Sequence, residues 1–137
     1  MAVLTRLRMP AKLENLGRLI GPLSDCARAK GFGQEKVVKM ELAAEEALVN
    51  IFRYAYPEQP GDVEMVCRAE GEGLAVEIID SGIPFDATVM PVPEATGGDH
   101  EREPGGLGIF LMKKVVDEVR YRREKDRNIL TLIIQKD

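Results

Sequence analysis

The chain has 137 residues, enough for one domain with its own core, and 45% of them are hydrophobic. A formal net charge of −4 argues against a nucleic-acid binder driven by phosphate contacts, and a chain without Trp and with few aromatics offers no base-stacking platform. No apolar run reaches the ~18 residues of a membrane span. No apolar signal segment follows the first charges. The expectation is therefore a cytoplasmic protein, whose isolated Cys26 and Cys67 are reduced core thiols without metal-type spacing.

Residues 2–9 alternate roughly and stop at Pro10, which predicts a first or edge strand. From residue 11 to about residue 30 the pattern is helical, with Leu13, Leu16, Leu19, Ile20 and Leu23 on one face. Pro22 is expected to kink or split that helix. Gly31-Phe32-Gly33 closes it. A second helix runs from residue 34 to about residue 56 and is halted by Pro57 and Pro60. Residues 62–69 and 74–80 read as strands joined at Glu70-Gly71-Glu72-Gly73, a hairpin signal. Residues 81–104 lack periodicity and read as a long loop, of the kind that is usually functional or disordered. Residues 106–116 form a third helix, and strands at 118–124 and 128–135 flank a turn at Lys125-Asp126-Arg127. The class is α+β: a two-layer sandwich of one mixed, mostly antiparallel sheet with three helices on one face.

Three stretches carry chemistry. In the second helix Val38, Leu42, Val49, Phe52 and Tyr56 share one arc, expected to be core. Lys39, Ala43, Glu46, Asn50 and Arg53 share the adjacent one. Glu46 and Asn50 are one turn apart, so their side chains meet. The Asn carbonyl is a hard neutral oxygen suited to Mg²⁺, and a carboxylate beside it suits a general base. Glu45 projects toward the apolar arc and lies farther round from Asn50 than Glu46. Asp80 ends a strand, where its carboxylate can accept a hydrogen bond from an exocyclic amine. Gly82 permits close approach to a flat ring. Pro84 and Phe85 offer an apolar wall. Gly105-Gly106-Leu107-Gly108 opens the third helix and turns backbone N–H groups toward an anion. It is neither a Walker A loop nor a dinucleotide fingerprint. Taken singly, these also fit a solvated helix face, an ordinary Asp-x-Gly turn and a helix-entry loop. Thr131, inside an apolar strand run, suits either a place near a base or an edge-facing hydroxyl. The single His100 forms no recognisable triad.

Together these residues resemble the anti-sigma factor serine kinases, small bacterial members of the superfamily of gyrase, heat-shock chaperone, histidine-kinase and mismatch-repair ATPases. The resemblance covers nearly the whole chain. Glu46-Ala47-x-x-Asn50 is similar to that family's N box, Asp80-x-Gly82-x-Pro84-Phe85 to its first glycine box, and Gly105-Gly106-Leu107-Gly108 to its second. Thr131 corresponds to the Thr of its closing strands. Phe52-Arg53-Tyr54 stands where the family often has a His. The resemblance implies a Bergerat ATP-binding fold with an ATP lid at about 86–104, in which Arg102 could reach the phosphates and Arg53 could lie beside the pocket. It implies Glu46 as general base, Asn50 as Mg²⁺ ligand and Asp80 as adenine reader. It also implies an anti-anti-sigma protein substrate, a sigma factor partner and a homodimer. The expected activity is an ATP-dependent serine/threonine protein kinase that sequesters a sigma factor. The alternatives are a non-catalytic ATP-binding module that sequesters a partner, and a stand-alone histidine-kinase-like ATPase domain.

Overall fold

The computed structural model describes residues 2–86 and 106–136, so most of the expected lid, with His100, Arg102 and Gly105, lies outside the described residues. In chain order the elements are β1 (Val3–Pro10), a single 3-10 turn (Leu13–Asn15), α1 (Leu16–Ala29), α2 (Gln34–Tyr54), β2 (Asp62–Glu70), β3 (Gly73–Asp80), α3 (Gly106–Val115), β4 (Glu118–Glu124) and β5 (Arg127–Ile134). This is the expected α+β succession. The strands form one sheet in the order β1-β2-β3-β5-β4. The sheet, expected to be mixed and mostly antiparallel, is antiparallel at each of its pairings.

Cross-strand rows separate the two faces of this sheet. Leu7, Met65, Ile78, Leu130 and Tyr121 form one row on the helix side. They pack with Leu19, Leu23, Val37, Met40, Ala44, Leu48 and Met112 into the main core, which places the helices on that one face. On the other face Val66, Ile79 and Ile129 make a small buried cluster. Neighbouring Arg and Glu side chains on that face pair up, Arg68 with Glu77 at 3.1 Å and Arg6 with Glu64 at 3.6 Å. Their aliphatic stems can shield the apolar patch while the charged ends stay in water.

Two local expectations about the helices need correction. Helix α1 runs unsplit through Pro22, and the irregular turn lies at its start instead. Proline removes one hydrogen bond, to the carbonyl four residues earlier, and its ring crowds that carbonyl, which bends a helix without having to end it. That residue, Arg18, is exposed, so water can replace the lost donor. Leu13, expected on the apolar face, lies in the 3-10 turn and is exposed. The end of α1 behaves as expected. Gly31 has φ +93°. Its N–H bonds the Arg28 carbonyl and the Phe32 N–H bonds that of Ala27, a Schellman closure sealed by buried Phe32.

The core face of α2 is also not the expected arc. Val38 and Leu42 are 44% and 39% exposed, and Val49, Phe52 and Tyr56 are half-buried. The buried residues are Val37, Met40, Ala43, Ala44, Ala47, Leu48 and Asn50. Helix α2 packs against α1, α3 and the sheet together. Small side chains let three neighbours approach one helix, so alanines mark its inner face.

Candidate functional site

At one end of the sheet, a cross-strand row runs Val63, Asp80, Asn128, Arg123. Asp80 ends β3 and Asn128 lies near the start of β5, so antiparallel pairing sets them side by side on the helix face. Above them stands the C-terminal half of α2. The space between is walled by Ala47, Asn50 and Ile51 from α2, Met112 from α3, Phe85 from the loop after β3, and Tyr121, Asn128 and Leu130 from β4 and β5, with Asp80 on its floor. It holds about 30 Å³, room enough for a water.

Asp80 is only 5% exposed. Its Oδ1 accepts from the Gly82 N–H at 2.8 Å and from Asn128 Nδ2 at 2.9 Å. Burial nevertheless raises its pKa above the ordinary Asp value, and the two hydrogen bonds and the charge of Arg123 only partly offset this. An acceptor held rigidly in an apolar niche is suited to a ligand donor that completes its solvation.

Asn128 is the organising residue that the sequence reading missed. Its Nδ2 also donates to the Ile83 carbonyl at 2.8 Å. Its Oδ1 accepts from Tyr121 Oη at 2.7 Å, from Arg123 at 3.1 Å and from the Phe85 N–H at 3.3 Å. One amide thus ties β3, β4 and the Asp-x-Gly loop together. Thr131 does not join this group. It is one residue out of phase along β5, pairs with Glu77, and faces the opposite side of the sheet in a groove with Arg68 and Arg120. Both faces of β5 are apolar, so alternation alone does not reveal which side each residue takes.

The other expected site residues divide. Asn50 is 5% exposed and lines the space. Its Nδ2 donates to the Glu46 carbonyl at 2.8 Å, which turns Oδ1 into the end suited to a cation. Glu46 is half-buried one turn earlier, whereas Glu45 is exposed and lines a groove between α1 and α2. Glu45 therefore does not enter the apolar layer. Phe85 lines the cavity, with its ring 6.4 Å from that of Tyr54, while Pro84 is exposed. Arg53 is exposed and is not part of the cavity wall. Gly106, Leu107 and Gly108 form the first turn of α3, as expected for a glycine-opened helix.

Gly82 is required at a junction between elements. A Cβ there would lie 2.2 Å from the Ala55 carbonyl oxygen. The Ile83 N–H bonds that same carbonyl at 3.0 Å. The Gly82 Cα therefore packs closely against the end of α2. Tyr56 strengthens the junction: its hydroxyl accepts from the Ser81 N–H at 2.8 Å and donates to the Asp62 carbonyl at 2.5 Å.

Comparisons with known proteins bear on this arrangement. The model of the histidine kinase-like ATPase domain family matches residues 9–134. Serine-protein kinase RsbW of Bacillus cereus is 26% identical over 137 residues, covering 96% of this chain and 85% of that protein. RsbW of Bacillus anthracis is similar to the same extent, 26% with the same coverage. Among solved structures, the RsbU and RsbW domains of Rv1364c from Mycobacterium tuberculosis superpose with TM-score 0.65 at 14% identity. That match covers 96% of this chain and 32% of the longer one. The histidine kinase domain of a blue-light activated kinase from Erythrobacter litoralis gives TM-score 0.53 at 21% identity, over 87% of this chain and 60% of the other. The two structures share the fold. This chain spans about a third and three fifths of their lengths.

Proposed function

The chain belongs to the histidine kinase-like ATPase domain family, and we propose that within it this protein is an ATP-dependent serine/threonine protein kinase of the anti-sigma factor type. The observation that carries the reading is the convergence of Asp80 and Asn50, from β3 and α2, on one cavity that Met112 of α3 also lines. Similarity to RsbW serine-protein kinases along 96% of the chain supports the choice of serine or threonine acceptor.

The donor set fits Mg²⁺·ATP. Asp80 would accept the hydrogen bond of the adenine amine, held in place by Asn128 and the Gly82 N–H. Ile51, Phe85, Met112 and Leu130 supply apolar walls that keep water from competing for that bond. Asn50 would be the protein's ligand to the metal through Oδ1, an arrangement normal for Mg²⁺, which keeps waters and phosphates as its other ligands. When bound, Mg²⁺ neutralises charge on the phosphate oxygens. The backbone N–H groups of Gly105, Gly106, Leu107 and Gly108 would hold phosphate oxygens. Glu46 would accept the proton of the substrate hydroxyl as that oxygen bonds to the γ-phosphorus and ADP leaves. Arg53 and Thr131, exposed and on the far sheet face respectively, are not needed for these steps. The protein would act in the cytoplasm as a homodimer, with an anti-anti-sigma protein as substrate and a sigma factor as the sequestered partner.

The test is phosphoryl transfer from γ-labelled ATP to a purified anti-anti-sigma protein. Transfer that slows at least ~100-fold in Glu46→Gln, with ATP binding unchanged, is the expected result. Equal rates in wild type and Glu46→Gln would remove Glu46 from the mechanism, and an absence of transfer by wild type would contradict the kinase reading.

A further inference from the structure

Cys26 on α1 and Cys67 on β2 are far apart in sequence, and the fold sets their sulfurs 3.5 Å apart. Both are free thiols. Among the described residues no group of three or more His, Cys, Asp or Glu side chains is placed to hold a metal, so the pair does not belong to a metal clasp. Neither thiol touches the cavity around Asp80.

The two sulfurs are unequal. Cys67 is fully buried on the helix face of the central sheet, opposite Thr5 on β1 and Val76 on β3. Cys26 is half-buried and lines a surface pocket with Leu4, Thr5, Pro22 and Lys30. Burial and the neighbouring Cys26 sulfur push the Cys67 thiol pKa up, and only the Lys30 ammonium opposes this. An oxidant arriving from solvent therefore meets Cys26 first. Beside the pair the β1–β2 ladder is irregular: the register shifts between Val3 and Thr5, so backbone regularity is already relaxed there. Closing the contact to a covalent bond of about 2.05 Å requires the sulfurs to approach by only about 1.5 Å.

We propose that Cys26 and Cys67 are a peroxide-responsive dithiol, in which Cys26 is the attacking thiol and Cys67 resolves it, so that oxidation staples α1 to the centre of the sheet. The chemistry balances with hydrogen peroxide as oxidant. The Cys26 sulfur attacks one peroxide oxygen, the O–O bond breaks, and the products are Cys26 sulfenic acid and one water. The Cys67 sulfur then attacks the Cys26 sulfur, the S–O bond breaks, and a second water leaves with the thiol proton. Two thiols lose two electrons in total, and peroxide gains them. A dithiol reductant such as reduced thioredoxin reverses the bond. Because α1 and α2 pack against each other, the staple fixes the outer helix layer relative to β2.

The full chain, reduced and then treated with hydrogen peroxide while folded, tests this by non-reducing peptide mapping. The expected result is one intrachain peptide pair joined at Cys26 and Cys67, loss of both free thiols, and recovery of both with dithiothreitol. In Cys67→Ser, Cys26 should accumulate as a sulfenic acid trapped by dimedone. In Cys26→Ser, thiol loss should slow at least ~10-fold, as expected for a buried, protonated sulfur. The proposal is overturned if both thiols of the folded wild type remain alkylatable after peroxide. It is likewise overturned if the bond forms only in urea or only between chains. Dimedone on Cys67 before Cys26 overturns the assignment of roles. The wild-type map alone decides the linkage, so it stands even where a variant fails to fold.

Discussion

At the residue scale, the site rests on a carboxylate kept in an unfavourable place. Asp80 is buried and its pKa is raised, chiefly by desolvation. A carboxyl whose folded pKa exceeds its unfolded value binds protons more tightly when folded. Its ionised form therefore opposes folding above the folded pKa, and this is relieved as pH falls through that value. Asp80→Asn keeps an acceptor for Gly82 and Asn128 but removes the charge. Its Tm at pH 7 should equal or exceed that of wild type, with the gap closing toward acid, as followed by thermal melts across pH. A large loss of stability at pH 7 would mean that the charge itself is structurally paired. Adenosine affinity should also fail at a pH above the ordinary Asp range, because a protonated carboxyl no longer offers two acceptor oxygens to an amine. Adenosine is the right probe because it carries no titrating phosphate. Asn128 is the second critical residue. Asn128→Ala strips partners from Ile83, Tyr121 and Phe85 at once. It should cost about 2–4 kcal/mol in urea unfolding, since buried polar groups are left unpaired.

At the element scale, most of the architecture was legible because punctuation is strong. Pro10, Gly31 to Gly33, Pro57, Gly71 and the Lys125 turn fall where elements end, and Gly31, Gly71 and Lys125 all take positive φ. What failed was facing. In α2 the large apolar residues Val38 and Leu42 point outward while Ala43, Ala44 and Ala47 pack inside. A wheel weighted by side-chain size selects the wrong arc when a helix is enclosed by three neighbours. In the site half, Asn50 and Asp80 both line the cavity, and Glu46 is half-buried one turn before Asn50, as their i, i+4 spacing requires. Asn128 escaped notice because both faces of β5 are buried, so its partner across the ladder, Asp80, was the only available signal. Two substitutions examine the junctions between elements. Gly82→Ala should destabilise by about 1–3 kcal/mol, because the new methyl meets the Ala55 carbonyl and neither backbone can yield cheaply. Asn50→Ala should leave far-UV circular dichroism unchanged, since the helix loses only a side-chain bond to Glu46, yet abolish the Mg²⁺ dependence of ATP binding. Loss of helical signal would show Asn50 to be a structural residue instead.

At the scale of the whole molecule, the division of labour follows from a single sheet with one helix layer. The helix face carries both the core and the cavity, and the far face carries Arg–Glu pairs over a thin apolar patch. Among the described residues no helix is long and apolar enough to cross a membrane. The elements that wall the cavity, α2, α3, strands β3 to β5 and the loop after β3, meet only once the sheet is complete. The proposed nucleotide site is thus a product of the global fold and not of any one motif, which explains why each motif alone is weak. Isothermal titration with ATP, with and without Mg²⁺, on wild type and on Asp80→Asn, tests this most directly. The account predicts Mg²⁺-dependent binding by wild type and a loss of at least ~10-fold in affinity on substitution, the scale of one charged hydrogen bond. Equal affinity in the two proteins, or binding indifferent to Mg²⁺, would contradict the placement of the nucleotide between Asp80 and Asn50.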